Sequence, residues 1–255
     1  MGNGPSLNDT LTSSSIELDS YDILSVNYFC RTEKFEQVKP NYYVITSPEY
    51  FIGEEKKDWK KDRDQTFHEL VNKTKWDMDL FVPVIASKSK DWVSIISENP
   101  KIKIVYFNTT PIEGFKWFSF FCFKRKLGMP RPHNVLIPSI FIGLYCGYKN
   151  IYLAGADHNW TRDVFVTDDN RVLLSQKHFY DQKVKEEKNK NSASPKPMYK
   201  GGSQEERKLH EVLNKFVYAF QAYWEIEEYA TKVSGSKIYN ITPGSYIDAF
   251  EKVKK

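Results

Sequence analysis

Short apolar runs along the chain alternate with longer segments in which apolar residues recur at helical spacing. The runs have the length of strands and occupy residues 21–27, 41–47, 80–85, 102–107 and 151–154. Helical patterns lie between them at 63–75 and 88–98. Strands separated by helices of this length predict an α/β fold, with a mostly parallel sheet and helices on both faces of that sheet.

The second half of the chain contains the longest helical pattern and a segment with little to bury. An apolar stretch at 135–146 predicts a buried helix. Residues 183–206 are rich in Lys, Glu, Asn and Ser, which predicts a mobile lid. A long amphipathic helix is predicted at 205–233, then a strand at 237–241, and a turn at 242–245 that starts a short last helix.

Polar residues follow three of the predicted strands. Asn27 and Ser47 end two of them, and Gly155 to Asp157 follow a third. Parallel sheets bind ligands beyond the carboxyl ends of their strands. We therefore expect these residues to gather at one edge of the sheet and to form part of a ligand site.

Length, charge and cysteine content narrow the class of protein. The 255 residues are enough for one large domain, and 37 basic against 33 acidic residues leave a net charge of +4. That charge is too small for a general nucleic-acid binder. Three widely spaced cysteines fit a reducing compartment. No apolar run approaches the roughly 20 residues of a spanning helix, so we expect a cytoplasmic protein.

The chain opens with a glycine-rich pattern, Gly2-Asn3-Gly4-Pro5-Ser6. Glycines let backbone N–H groups approach an anion, so one interpretation is a phosphate-binding loop. The other interpretation is a plain turn, which is the more frequent role of such short runs. A phosphate loop of this kind normally follows a first β-strand, and no strand precedes Met1.

Candidate acid–base residues lie after the strand at 151–154 and before the predicted lid. Asp157 and His158 are adjacent, and a carboxylate beside an imidazole is the pairing that proton transfer needs. His178 would join them when the lid closes. The structural alternatives are an Asp that caps a turn, a His packed beside it, and a His in an ordinary surface loop.

Two acidic pairs have the spacing of metal ligands but unfavourable positions. Asp77 and Asp79 precede the strand at 80–85, at the wrong edge of the sheet. Asp168 and Asp169 have the pattern of an exposed turn. We therefore predict no metal site.

Residues 114–126 combine six aromatic residues with four basic ones. Aromatic side chains settle at the bilayer interface and basic ones meet anionic headgroups, so one interpretation is peripheral contact with a membrane. The interpretation that we prefer at this stage is a buried aromatic helix with a basic end.

Several blocks together resemble the bacterial lipooligosaccharide sialyltransferases, which use a CMP-activated sugar on a single Rossmann-like domain with a lid. The glycine-rich opening is similar to their nucleotide loop and residues 22–27 to their second strand. Residues 44–48 are similar to the next strand, with Ser47 where the family has Asn. Residues 147–157 are similar to their most recognisable block, and Thr242-Pro243-Gly244-Ser245 to their nucleotide-binding turn.

The resemblance implies a metal-independent glycosyltransferase without a cofactor, folded as one Rossmann-like domain over residues 1–255. It would move sialic acid or Kdo from CMP to a glycan or glycolipid in lipopolysaccharide or capsule synthesis, at the inner face of the membrane. From the positions of this chain's own residues we expect His158 to be the general base, His178 a phosphate or leaving-group contact, and Asp157 an orienting or donor-binding residue. The implied donor-binding residues are Gly2, Asn3, Gly4, Pro5, Ser6, Asn27, Ser47, Asn134, Thr242, Pro243, Gly244 and Ser245.

Departures from the family leave other functions open. Gly202 stands in place of the family's general-base His, Asn159 and Phe165 in place of its phosphate-binding tyrosines, and Asn134-Val135-Leu136 in place of its donor loop. The block at 147–157 is also shared with 6-hydroxymethylpterin pyrophosphokinase-like domains, which need Mg²⁺. The alternatives are therefore a pterin or nucleotide pyrophosphokinase and a non-catalytic nucleotide-binding subunit.

Overall fold

The computed structural model describes residues 1–13, 17–51, 57–175, 177–181, 195–201 and 203–254. The chain is mixed α/β and divides into two compact units. Unit 1 contains Met1 and residues 15–146, and unit 2 contains residues 2–14 and 147–255. Because compact units can be lobes of one domain, the single domain over residues 1–255 stays a prediction.

A four-stranded parallel sheet forms the centre of unit 1. Its strands pair in chain order and are β1 (Leu24–Val26), β2 (Tyr42–Val44), β3 (Met78–Pro83) and β4 (Ile102–Phe107). Leu80 and Val82 of β3 are fully buried, which fits a strand paired on both sides. The predicted parallel sheet is therefore confirmed in unit 1.

Helices of unit 1 lie between these strands or after them along the chain. They are α2 (Lys34–Val38), α3 (Lys57–Lys73), α4 (Asp91–Ile96), α5 (Lys116–Lys124) and α6 (Leu136–Tyr145), whereas α1 (Leu7–Thr12) belongs to unit 2. The fully buried Trp92 of α4 contacts Phe67 of α3, with ring centroids 5.6 Å apart. Most of α6 is buried, as its apolar sequence predicts.

Unit 2 contains two three-stranded sheets. The parallel sheet has the order β10–β9–β5 and consists of β5 (Asn150–Leu153), β9 (Lys237–Asn240) and β10 (Glu251–Lys252). The antiparallel sheet consists of β6 (Val164–Val166), β7 (Val172–Leu174) and β8 (Lys196–Pro197). The sequence did not predict this antiparallel sheet.

The long helix of unit 2 is α7 (Leu209–Tyr229), followed by a π-helical turn at Ala230–Ser234. The backbone N–H of Lys208 donates to the Glu211 carboxylate at 2.8 Å, which caps the first turn. Val212 and Phe216 of α7 pack against Val172 and Leu174 of β7. The predicted long amphipathic helix is therefore confirmed, with its apolar side on the antiparallel sheet.

The predicted last helix after residues 242–245 is wrong, because side chains there take the N–H groups that a helix would use. The Thr242 backbone N–H donates to Asn240 Oδ1 at 3.0 Å, and the Ile247 N–H donates to Ser245 Oγ at 3.2 Å. Side-chain bonds of this kind compete with helix formation. The chain instead continues to β10.

The first strand differs from expectation, whereas the mobility of the predicted lid stays a prediction. The strand ends at Val26, since Asn27 adopts a φ of 51° and starts a 3-10 turn. Residues 183–194 and Gly202 of the lid lie outside the described residues. Its described part includes β8, which pairs with β7, and an isolated antiparallel bridge between Tyr199 and Glu206. Within the described ranges, no helix has the length and apolar character needed to cross a bilayer.

Candidate functional site

The glycine-rich loop runs beside the residues that follow β5. The backbone N–H of Gly2 donates to the Ala154 carbonyl at 2.7 Å, and that of Gly4 donates to the Gly155 carbonyl at 2.9 Å. The loop is therefore fixed at the carboxyl end of a parallel strand, the position where ligands of such sheets bind.

Two glycines in this contact have no room for a side chain. A Cβ on Gly4 would lie 1.9 Å from Asp157 Oδ2, and a Cβ on Gly155 would lie 2.5 Å from the Gly2 carbonyl oxygen. Gly155 also has a φ of 64°, in the left-handed region that favours glycine. The glycines thus allow two backbone segments to meet.

Asp157 joins the loop to the residues after β9. Its carboxylate accepts the Ser6 backbone N–H at 3.3 Å and the Ser6 hydroxyl at 2.8 Å. Its backbone carbonyl accepts the N–H of Tyr246 at 2.9 Å. These contacts give Asp157 an orienting position, and its part in the chemistry stays a prediction.

The turn at 242–245 is bonded to the same stretch of chain. The Thr242 hydroxyl accepts the Ala156 N–H at 3.0 Å, and the Ser245 hydroxyl donates to the Ala156 carbonyl at 2.6 Å. Both hydroxyl residues are buried, while Pro243 and Gly244 between them are exposed. A ligand at this turn would therefore meet the two exposed residues.

His178 is held next to the glycine-rich loop. The Phe179 backbone N–H donates to the Asn3 carbonyl at 3.0 Å, and the Asn8 side chain donates to the Phe179 carbonyl at 3.2 Å. The structure therefore brings His178, Asp157 and residues 2–6 into one region of unit 2.

An imidazole–carboxylate pair lies in this region. His178 Nδ1 is 3.5 Å from Asp181 Oδ2, and the same oxygen accepts the His178 backbone N–H at 2.7 Å. The His178 side chain is 41% exposed, whereas that of Asp181 is 10% exposed. The ring also stacks on Tyr180 with centroids 5.0 Å apart. A buried carboxylate that orients an accessible imidazole is an arrangement suited to proton transfer.

His158 instead belongs to an aromatic cluster. Its ring stacks on Trp160 with centroids 4.1 Å apart, and its Nδ1 lies 3.1 Å from the Tyr223 hydroxyl. Burial lowers the pKa of His158 to about 3. A base this weak is poorly matched to proton transfer near neutral pH. The accessible ring of His178 is better placed than the ring of His158 to meet a ligand, and the role of either residue as general base stays a prediction.

Acidification is expected to destabilise the protein through His158. The pKa is about 3 in the folded protein against 6.5 for the free side chain, so between these values the unfolded chain binds more protons. The stabilising contribution is fully present above pH 6.5 and is lost as the pH falls toward 3. Its slope is at most about 1.4 kcal/mol per pH unit, the value for one proton.

Urea unfolding at about pH 7 and about pH 5 measures this loss. His158→Asn is the matched variant, because Asn does not titrate and tolerates the left-handed φ of 48° at this position. The variant should lose less stability on acidification than the parent protein. An equal loss in both proteins would contradict the assignment to His158.

An exposed arginine that the sequence did not reveal lies beside the turn at 242–245. Arg162 Nε donates to the Tyr246 hydroxyl, and the guanidinium carbon lies 4.8 Å from the centre of the Tyr246 ring. The two residues are 84 positions apart, so their pairing does not form a motif that could be recognised in the sequence. Asp181 was missed for another reason: it is only three residues from His178, but its burial is not visible in the sequence.

Three predicted donor residues belong to unit 1 and have local structural roles there. Asn134 Oδ1 accepts the N–H groups of Leu136 and Ile137 at 2.9 and 3.3 Å, which caps the start of α6. Ser47 precedes a 3-10 turn, and Asn27 follows β1. Their part in donor binding stays a prediction.

Both acidic pairs occupy surface positions. Asp77 is 3.0 Å from Lys101, and Asp79, which lies within β3 and not before it, is 3.9 Å from Lys103. Asp168 and Asp169 form the predicted exposed turn. Among the residues that the structure describes, no group of three His, Cys, Asp or Glu side chains is arranged to hold a metal ion.

Comparisons of the chain with protein-family models, curated proteins and solved structures give no match. The resemblance to the sialyltransferases therefore stays a prediction from the sequence blocks that carry it. The candidate site rests on the contacts within unit 2.

Proposed function

We propose that unit 2 carries the donor site of a Rossmann-like glycosyltransferase that moves a 2-keto sugar acid from CMP to a bacterial surface glycan. One observation carries the proposal. Residues 2–6, 155–157 and 242–246, which are far apart in the sequence, are hydrogen-bonded to one another beyond the ends of β5 and β9. These segments are the ones whose sequence resembles the nucleotide site of the sialyltransferases. That resemblance supports a CMP-linked donor.

The charge beside these segments fits an anionic donor. A CMP-linked sugar acid carries a phosphodiester and a carboxylate. Arg162 is exposed beside residues 242–246, and its planar guanidinium can bind either group with two hydrogen bonds. The exposed residues Pro243 and Gly244 leave the backbone of the turn open to the same ligand.

The proposed reaction uses His178 and Asp181 as the acid–base pair. With the Nδ1 proton facing Asp181, the other ring nitrogen of His178 accepts the proton of the acceptor hydroxyl. The acceptor oxygen forms a bond to the anomeric carbon, and the bond from that carbon to the phosphate oxygen breaks. CMP leaves with the electron pair, and its charge is met by Arg162.

CMP is expected to raise the thermal unfolding temperature of the protein in the presence of EDTA. Arg162→Gln should weaken CMP binding, measured by calorimetry, about 10- to 100-fold, since a hydrogen bond to a charged group contributes about 1.5–3 kcal/mol. Arg171→Gln is the matched control, because Arg171 is an exposed arginine of the same unit paired with Glu206. Stabilisation by ATP with Mg²⁺ but not by CMP would contradict the proposal and favour a pyrophosphokinase.

A further inference from the structure

The outward face of α5 and the residue before it expose large aromatic side chains. Phe115 and Trp117 are 77% and 73% exposed, and Phe118 and Phe121 are 43% and 50% exposed. A helix on the surface of a globular protein normally presents polar residues on this side. Four neighbouring aromatic side chains exposed to water form an apolar patch, and such patches mark interaction sites.

The opposite face fixes α5 to unit 1. Ser119, Cys122 and Phe123 are buried, and the Phe123 ring is 5.1 Å from that of Phe141 in α6, measured between centroids. The interpretation as a buried aromatic helix is correct for this face and wrong for the outward one. The aromatic side chains are thus presented on a packed support.

Positive charge surrounds the exposed aromatic face. Lys116, Lys124, Arg125 and Lys126 are all exposed. Between residues 108 and 146 the sequence has a single acidic residue, Glu113. Its carboxylate is held by Arg131 through contacts of 2.7 and 3.0 Å, so it does not offset the other four cations. The face therefore complements a negatively charged surface.

We propose that this aromatic face, residues 115–127, docks on an anionic lipid bilayer. Trp and Phe side chains enter the interfacial layer, and the flanking lysines and arginine meet the headgroups. We favour a bilayer over a protein partner because four exposed cations border the aromatic side chains, and anionic headgroups attract such a border. The proposal depends only on unit 1 and is independent of the reaction proposed for unit 2.

Vesicle co-sedimentation of the full chain tests the proposal. We expect binding to vesicles of phosphatidylglycerol and phosphatidylethanolamine, no binding to phosphatidylcholine alone, and release from the anionic vesicles at high salt. The double variant Phe115→Ser with Trp117→Ser should bind the anionic vesicles at least about tenfold more weakly. Lys116→Gln with Lys124→Gln should weaken the same binding.

Trp224→Ser is the matched control, because Trp224 is a 52% exposed aromatic residue on α7. It should bind the vesicles as the parent protein does. Absence of binding to anionic vesicles would overturn the proposal, and so would equal binding by the Phe115 and Trp117 double variant. Self-association in sedimentation velocity that this double variant removes, without vesicle binding, would assign the face to a second copy and also overturn it.

Discussion

His178→Ala is expected to slow the release of CMP from a CMP-linked sugar acid by about 10²–10⁴-fold, the range for the loss of a general acid or base. The imidazole acts on the acceptor hydroxyl, so the affinity for CMP should change little. Rates with CMP-sialic acid and CMP-Kdo, each measured with a glycan acceptor, together with calorimetric titration of CMP, separate the two effects.

Two variants control this experiment. His210→Ala removes an exposed histidine of α7 and should leave the rate unchanged. Asp181→Asn keeps the shape of the side chain but removes the charge that orients His178, and it should lower kcat without weakening CMP binding. If His178→Ala kept full activity while His158→Ala lost it, the general base would be His158.

Gly4→Ala is expected to destabilise the contact between residues 2–6 and 155–157 severely. The added methyl group would overlap Asp157 Oδ2 at 1.9 Å and would lie 2.8 Å from the Gly155 carbonyl oxygen. Overpacking of a fixed contact costs up to about 3 kcal/mol in typical cases, and we expect the upper end here. In a chain of this size that corresponds to a fall of roughly 6–12 °C in the unfolding temperature, measured by calorimetry.

The matched control is Gly201→Ala, because a Cβ at Gly201 meets no atom within 4 Å. It should change the unfolding temperature little. Asp157→Ala should relieve part of the cost when combined with Gly4→Ala, since it removes the nearest obstructing atoms. An unchanged unfolding temperature in Gly4→Ala would contradict the close packing of the loop.

Elements with a strong local pattern were predictable from the sequence. The apolar runs that became β3 and β4 and the apolar stretch that became α6 lie within a few residues of their predicted bounds. The antiparallel sheet gave no such signal. Its strands are two or three residues long, and Phe165 and Val166 are half exposed, so neither length nor burial marks them in the sequence.

The candidate site was predictable only where residues of a suitable type lie next to an element that the sequence predicts. Glycines at the start of the chain and polar residues after β5 pointed to residues 2–6 and 155–157. Arg162 depends on a partner that only the folded chain supplies, whereas Asp181 is three residues from His178 and its burial is what the sequence does not show. The weak basicity of His158 arises from burial, which also exists only in the folded chain.

The pairing of Ser6 with Asp157 also sets the order in which the protein can fold during synthesis. The two residues are 151 positions apart, so the ribosome needs roughly 8–30 seconds to make the second after the first. Ser245, which bonds to Ala156, lies 89 positions after that residue. Residues 2–6 therefore leave the ribosome well before residues 154–157, and they gain these partners only after that segment has been synthesised. A ribosome that stalls between the two segments leaves residues 2–6 without these hydrogen bonds and open to proteases.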